Sequence, residues 1–192
     1  MNTPAHILIG WAAFGRKGPP SVASAAAFGG FAPDLSLYLL AGVSINVLGI
    51  SPQVVFNDLY FSAAWQAIFS VDNSFFVWGA LLAFALYRKS SVGIALCGAA
   101  LLHLLLDFPL HHDDGRAHFW PLSNWIYESP VSYWDRGHHA NTVAPIAAAI
   151  ALGCAYLIAR EKWLSWRSAF AVALVAMELY GSAFLFGLTF NL

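Results

Sequence analysis

Residues 92–110 form an apolar run, "VGIALCGAALLHLLLDFPL", with a histidine and an aspartate inside it. A membrane-crossing helix needs about 20 predominantly apolar residues, and this run is long enough. An ionisable side chain inside such a span costs about 2.5–3.5 kcal/mol. His103 and Asp107 therefore need something that compensates them. At i and i+4 they share one helix face, close enough to hold a common ligand. Pro109 is expected to end the helix just after Asp107, which puts the pair near one end of its span.

The rest of the chain is of the same kind. Hydrophobic residues make up 59% and charged residues 10% of the 192, where a soluble domain has about 45–50% and about 25%. So few charges cannot cover a fold with a water-exposed surface. Further apolar segments run over 21–50, 73–87, 141–159 and 168–190. Residues 4–14 are too short to span, and 51–72 read as mixed, aromatic and interfacial. The expected fold is all-α: a polytopic integral membrane helical bundle with about five membrane-crossing helices plus a short N-terminal helix. It forms one integral membrane domain over residues 1–192, with a polar, aromatic outer loop at about 111–140.

Charge fixes partners and orientation. The formal net charge of -1 gives no electrostatic case for a nucleic-acid partner, and the partner expected is the lipid bilayer. Arg16/Lys17, Arg88/Lys89 and Arg160/Lys162/Arg167 fall in alternate connections, as the positive-inside rule requires if all three face the cytoplasm. The 111–140 loop then faces outward, and Trp120, Trp125, Tyr127, Tyr133 and Trp134 suit an interfacial aromatic belt. Multi-pass insertion in a bacterial inner membrane is the localisation expected. The opening "MNTPAHILIGWAAFGRKG" has its basic residues after the apolar part, unlike a cleaved signal peptide. Cys97 and Cys154 lie in apolar runs without a CxxC neighbour and read as small core residues.

The chemistry-bearing side chains concentrate in "HLLLDFPLHHDDGRAHFWP", His103 to Pro121. Imidazole and carboxylate are good ligands for zinc and related divalent metals. His6, Asp34, His103, Asp107, His111, His112, Asp113, Asp114, His118, Asp135, His138 and His139 outnumber what one ion requires. Two ions about 3.5–4 Å apart clamp a phosphoester and lower the pKa of a bridging water. Each part also has a plain structural reading: a hydrogen-bonded HxxxD pair, an interfacial His6, Asp34 capping a helix restart after Pro33, a solvated "HHDD" loop, and a neutral buried Glu178. Asp34 and the His103–Asp107 pair nonetheless sit in two separate apolar spans, which need a reason to carry polar groups. At 1.5 Å per residue, about 20 Å of helix separates Ser21 from Asp34, so all three can meet at one depth.

Taken together, "TPAH" near the N-terminus, "APD" at 32–34, "HLLLD" at 103–107 and "FWPLSNW" followed by "SPVSYWD" resemble the bacterial membrane-bound metal-dependent hydrolases. That family is largely uncharacterised and distantly similar to zinc-dependent phospholipase C. The resemblance reaches to about residue 140, and "HLLLD…FWPLS" is its most specific part. It implies that His6, Asp34, His103 and Asp107 are ligand positions. Many relatives carry a His-Ser pair where this chain has Asn73–Ser74, so one ligand fewer, a recruited Asp72 or a loop histidine is implied here.

The reading is a metal-dependent hydrolase of an ester or phosphoester, with a lipid or lipid-linked substrate, at the outer face of the inner membrane. His6, Asp34, His103, Asp107 and His118 hold one or two divalent ions, zinc foremost. Asp113 or Asp114 acts as general base, His112 or His139 protonates the leaving group, and Arg116 steadies negative charge. The alternatives are a metal-ion or small-solute transporter using the same intramembrane groups, or a non-catalytic protein whose helices a metal ties together.

Overall fold

The computed structural model describes residues 1–185, and every regular element among them is helical. Helix α1 (Thr3–Phe14) and α2 (Pro20–Phe31) each carry proline in the first turn, where a missing N–H leaves nothing unpaired. A 3-10 turn, Ala32–Asp34, leads into α3 (Leu35–Asn46). A short helix α4 (Pro52–Val54) runs into a π turn at Val55–Leu59, followed by α5 (Ala63–Asp72) and α6 (Phe75–Tyr87). Next comes α7 (Ser91–Asp107), which ends in a 3-10 turn over Phe108–Leu110 as Pro109 dictates. The long loop closes with α8 (Ala140–Ala159) and α9 (Trp166–Leu185). Ser51, Ser62, Ser74 and Ser90 each accept a backbone N–H as the N-cap of α4, α5, α6 and α7, the residue type such starts favour.

Four stretches are long and apolar enough to cross a membrane: Pro20–Asn46, Ala63–Tyr87, Ser91–Leu110 and Ala140–Ala159. This is the build of a multi-pass membrane protein, and its large exposed apolar side chains, Leu39, Phe84, Leu105 and Ile146 among them, suit a lipid surrounding. The fifth expected span, 168–190, reaches past the described residues; its described part lies in α9. The segment expected to be interfacial, 51–72, differs: its second half is α5, continued by α6 after a break at Asn73–Ser74. Ser74 makes that break by capping α6 with hydrogen bonds from Phe76 N and Val77 N, both 3.1 Å.

The short helix α1 is the centre of the bundle, against α2, α7, α8 and α9. Its buried Ala5, Leu8, Trp11 and Ala12 join Ala147, Ala151 and Ala155 of α8 and Ala171 and Leu174 of α9 in one core. Small side chains let helices approach where lipid provides no hydrophobic drive between them. Gly30 of α2 shows the closeness, because a Cβ there would lie 2.5 Å from the His6 carbonyl oxygen. Gly29 meets the Leu96 carbonyl of α7 in the same way. At the far end, Arg167 donates to the carbonyls of Arg16 (3.2 Å) and Gly18 (3.0 Å), fixing the turn between α1 and α2. His6 is thereby held beside α7.

Gly30→Ala is expected to destabilise the detergent-purified protein by about 1–3 kcal/mol, the usual cost of overpacking. Gly42→Ala in α3, where an added Cβ meets nothing within 4 Å, should be neutral or stabilising by about 0.5–1 kcal/mol. Thermal unfolding followed by size-exclusion recovery separates the two.

Candidate metal centre

Three elements deliver the centre. Helix α1 brings His6, the 3-10 turn after α2 brings Asp34, and the last two turns of α7 bring His103 and Asp107. His6 and His103 are each 1% exposed, and their rings stack with centroids 3.8 Å apart. His103 Nδ1 lies 2.8 Å from the Gly30 carbonyl. A carbonyl only accepts, so Nδ1 carries the proton and donates. In the neutral ring Nε2 then presents a lone pair, and it faces Asp107 Oδ2 at 3.4 Å and Asp34 Oδ1 at 3.6 Å. A lone pair facing two carboxylates is repulsive unless a proton or a cation lies between them. His103 Nε2 has no hydrogen-bond partner, nor has His6 Nδ1. Unpartnered buried nitrogens of this kind call for a partner.

Asp107 gathers partners on both oxygens. Its Oδ1 accepts from His6 Nε2 at 2.7 Å and touches the Met1 amino nitrogen. Its Oδ2 accepts from His111 Nε2 at 3.2 Å. One ligand atom from each of His6, His103 and Asp107 lies within 4.8 Å of the others, so this buried group could hold a metal ion. Zinc–nitrogen bonds of about 2.0–2.1 Å would draw these donors somewhat closer. Asp34 stands at the edge of the group. The α3 start does not use its carboxylate as a cap. Instead Oδ2 accepts from Thr3 Oγ1 at 2.6 Å, and Tyr38 donates to Thr3 at 3.0 Å. That chain turns Oδ1 toward His103, so the convergence of His6, Asp34, His103 and Asp107 holds.

His118 does not join them. Its Nδ1 donates to the Asn73 carbonyl at 2.8 Å, and its ring packs on Phe75 and Phe108. Burial, followed by the nearby His111 and Arg116 charges, pushes it down to about 4. Asn73, at the position where the resemblance implies histidine, donates to the Pro33 carbonyl at 3.1 Å and to Asp72 at 2.9 Å. It braces the turn that carries Asp34 and leaves Asp72 bound to itself rather than recruited.

Asp34 and Asp107 form part of the wall of a cavity of about 920 Å³, with His111, Asp113, Asp114 and Arg116. His111 bridges the buried group and the cavity: Nε2 faces Asp107, and Nδ1 pairs with Asp114 Oδ1 at 2.9 Å. Burial would lower this imidazole, but the two carboxylates outweigh it and raise it to about 9. Asp114 is held below the usual carboxylate range, because His111 and Arg116 outweigh its burial. Arg116 is 7% exposed. Its guanidinium lies over Tyr60 and Phe69, at 4.5 and 4.2 Å from the ring centres, and donates to the Tyr60 hydroxyl.

Two expected acids fall outside this wall. His112 Nδ1 donates to the Ser129 carbonyl at 2.7 Å and its ring stacks on His138 at 3.5 Å, while His138 pairs with Asp135 at 2.5 Å. His139 is exposed, in a left-handed conformation just before α8. His111 stands where those two were expected to act. It repeats the four-residue spacing of His103 and Asp107, a signal that the assumed stop at Pro109 conceals. Buried Glu178 accepts from Asn2 at 3.0 Å, and Cys97 and Cys154 are free thiols, as expected.

No protein-family model, curated protein or solved structure matches this chain. Fit to a metal is therefore judged on the donors themselves: two buried imidazoles with a free nitrogen each, and two carboxylates within reach. They fit a divalent ion. His103→Ala is expected to lower the metal content of purified protein at least about tenfold, since loss of even a supporting residue costs about 10–100-fold in affinity, whereas His118→Ala keeps it. Elemental analysis of both variants decides between this set and one that includes His118.

Proposed function

We propose that the protein is a metal-dependent hydrolase of an ester or phosphoester at the outer face of a bacterial inner membrane. The observation that carries this reading is the buried His6–His103–Asp107 group, joined through Asp107 and Asp34 to a ligand-sized cavity that also holds Arg116. Pockets of about 300–1,000 Å³ suit small ligands, and a metal inside a cavity wall can keep a position open for substrate.

The net reaction adds water across the ester: the bond to the alkoxide breaks, the acyl or phosphoryl group gains the hydroxyl, and the alkoxide gains the proton. A divalent ion, zinc in our reading, supplies Lewis acidity and a more acidic water. His6, His103 and Asp107 would hold it, with Asp34 beside them. Asp114, a wall carboxylate kept ionised, accepts the proton of the attacking water. Asp113 also lines the cavity but is exposed, which makes it the weaker base. His111, on the same wall, returns a proton to the alkoxide in place of His112 or His139. Arg116 faces the charge that develops on the ester oxygens, held flat by the two aromatic rings. A transporter would carry polar groups at successive depths and related halves; among the described residues the buried ionisable groups gather around the Asp107 end of α7 and the first turn of α1 beside it, which favours the enzyme.

Purified protein should hydrolyse a phosphoester or carboxyl ester in a screen, lose the activity to a chelator, and regain it with added zinc. Asp107→Asn should abolish turnover, and Arg116→Ala should lower kcat about 10²–10³-fold. Activity that survives both chelation and Asp107→Asn rules the reading out. The placement has its own check: a cysteine at the exposed Ser123 should react with a membrane-impermeant maleimide in intact spheroplasts, and labelling only after lysis reverses the orientation.

A further inference from the structure

Asp34 and Asp107 of the candidate centre form only part of the cavity wall. Leu37 and Tyr38 of α3, Phe56 of the π turn, Phe61, and Met177 and Tyr180 of α9 give it an apolar part. Several of these side chains also lie on the outside of the bundle: Tyr38 is 52%, Met177 60% and Tyr180 77% exposed. A side chain that lines a cavity and is also exposed marks its mouth. Helix α3 packs on α5 and the π turn, and α9 on α1 and α8; among the described residues α3 and α9 have no extensive packing on one another. Tyr38 belongs to a membrane-crossing stretch, Pro20–Asn46. The mouth therefore opens on the side of the bundle, next to the membrane-crossing stretch that carries Tyr38, in a wall built of aromatic and thioether side chains.

Among the described residues Arg116 is the one arginine or lysine in the cavity wall, and it is buried. Its planar fork, stiffened by Tyr60 and Phe69, suits phosphate oxygens better than a neutral ester. The wall carboxylates repel an anion until a divalent cation offsets them. We infer that the cavity takes a membrane lipid with a phosphate-ester headgroup. It enters between α3 and α9 with its acyl chain along Tyr38, Phe56, Met177 and Tyr180, and its phosphate beside Arg116. As a substrate assignment this rests on the hydrolase reading above; as a binding assignment it rests on the cavity.

The test uses the full chain in detergent micelles with zinc present, and phosphatidic acid carrying a diazirine in its acyl chain as the probe. Photolabel should appear on α3 and α9. Excess unlabelled phosphatidic acid should reduce it at least about tenfold, whereas diacylglycerol, which has the tails without the phosphate, and glycerol phosphate, which has the phosphate without the tails, should leave it within about twofold. Met177→Trp, which narrows the mouth, should lower the label by a similar factor while the metal content of the folded protein stays within about twofold. Equal competition by diacylglycerol, or wild-type label absent from α3 and α9, overturns the inference, as does label unchanged by Met177→Trp in folded protein. A soluble phosphoester cleaved without competed label overturns this inference and leaves the hydrolase reading standing. Competed label with no ester cleaved supports the binding site and removes the hydrolase reading.

Discussion

A carboxylate carried into the interior of an apolar helix bundle must be met by hydrogen-bond donors or positive charge, and Asp107 is approached from several directions at once. The Met1 amine and His6 arrive from α1, His103 from the preceding turn of its own helix, and His111 from the turn that follows. Each approach depends on the fold elsewhere. His6 reaches the carboxylate because α1 lies against backbone at Gly30 and Gly29 lies against α7. His111 returns because Pro109 tightens the chain into a 3-10 turn in place of another turn of α-helix. Asp34 faces the group because the helix breaks at Ala32–Asp34 and Thr3 takes its second oxygen. Exchanging any of these local features changes which partners Asp107 can find.

Much of this was legible in the sequence, and the reason is electrostatic. Ionisable residues are so rare in apolar spans that His103, Asp107 and Asp34 declare themselves by position, and the i, i+4 spacing of the first two fixes their common face. The apolar runs gave the helices for the same reason. Segment 51–72 was less legible, since Trp65, Phe69 and the small residues around them suit an interfacial strip and a buried helix alike; tertiary packing on Tyr60 decided it. His118 and His112 show the other limit. Spacing placed them in a ligand-rich loop, but loop backbone chooses the partners of a side chain, and here carbonyls of Asn73 and Ser129 took one nitrogen of each. His111 was obscured by the opposite assumption, that a proline ends the register; a 3-10 turn kept it near enough for the four-residue spacing to survive.

The loop does more than cover the centre. Asp114 accepts from Trp134 Nε1 at 3.0 Å, and its backbone carbonyl accepts from Tyr60 at 2.9 Å. Tyr60 in turn receives the Arg116 guanidinium. A wall carboxylate, a wall cation and the π turn after α4 are thus linked by hydrogen bonds, so the acid and base groups facing the cavity are held by one network. On the proposed reading, such preorganisation would let these fixed charges act on a bound ester without first reorienting.

The cavity lies where helices end together. The hairpin with α2 fixes the Gly15 end of α1 beside Ala23 and Ala26. At its other end α2 gives way to the turn at Ala32–Asp34, and α7 stops at Asp107. Thr3 and His6 of α1 bond the two carboxylates carried there. Met1 to Pro4, Asp34 and Asp107 then line the cavity together with α9. A helix end leaves backbone groups and side chains without a further turn to cover them, so the breaks that bring Asp34, His103 and Asp107 to one level also leave room beside them for a ligand.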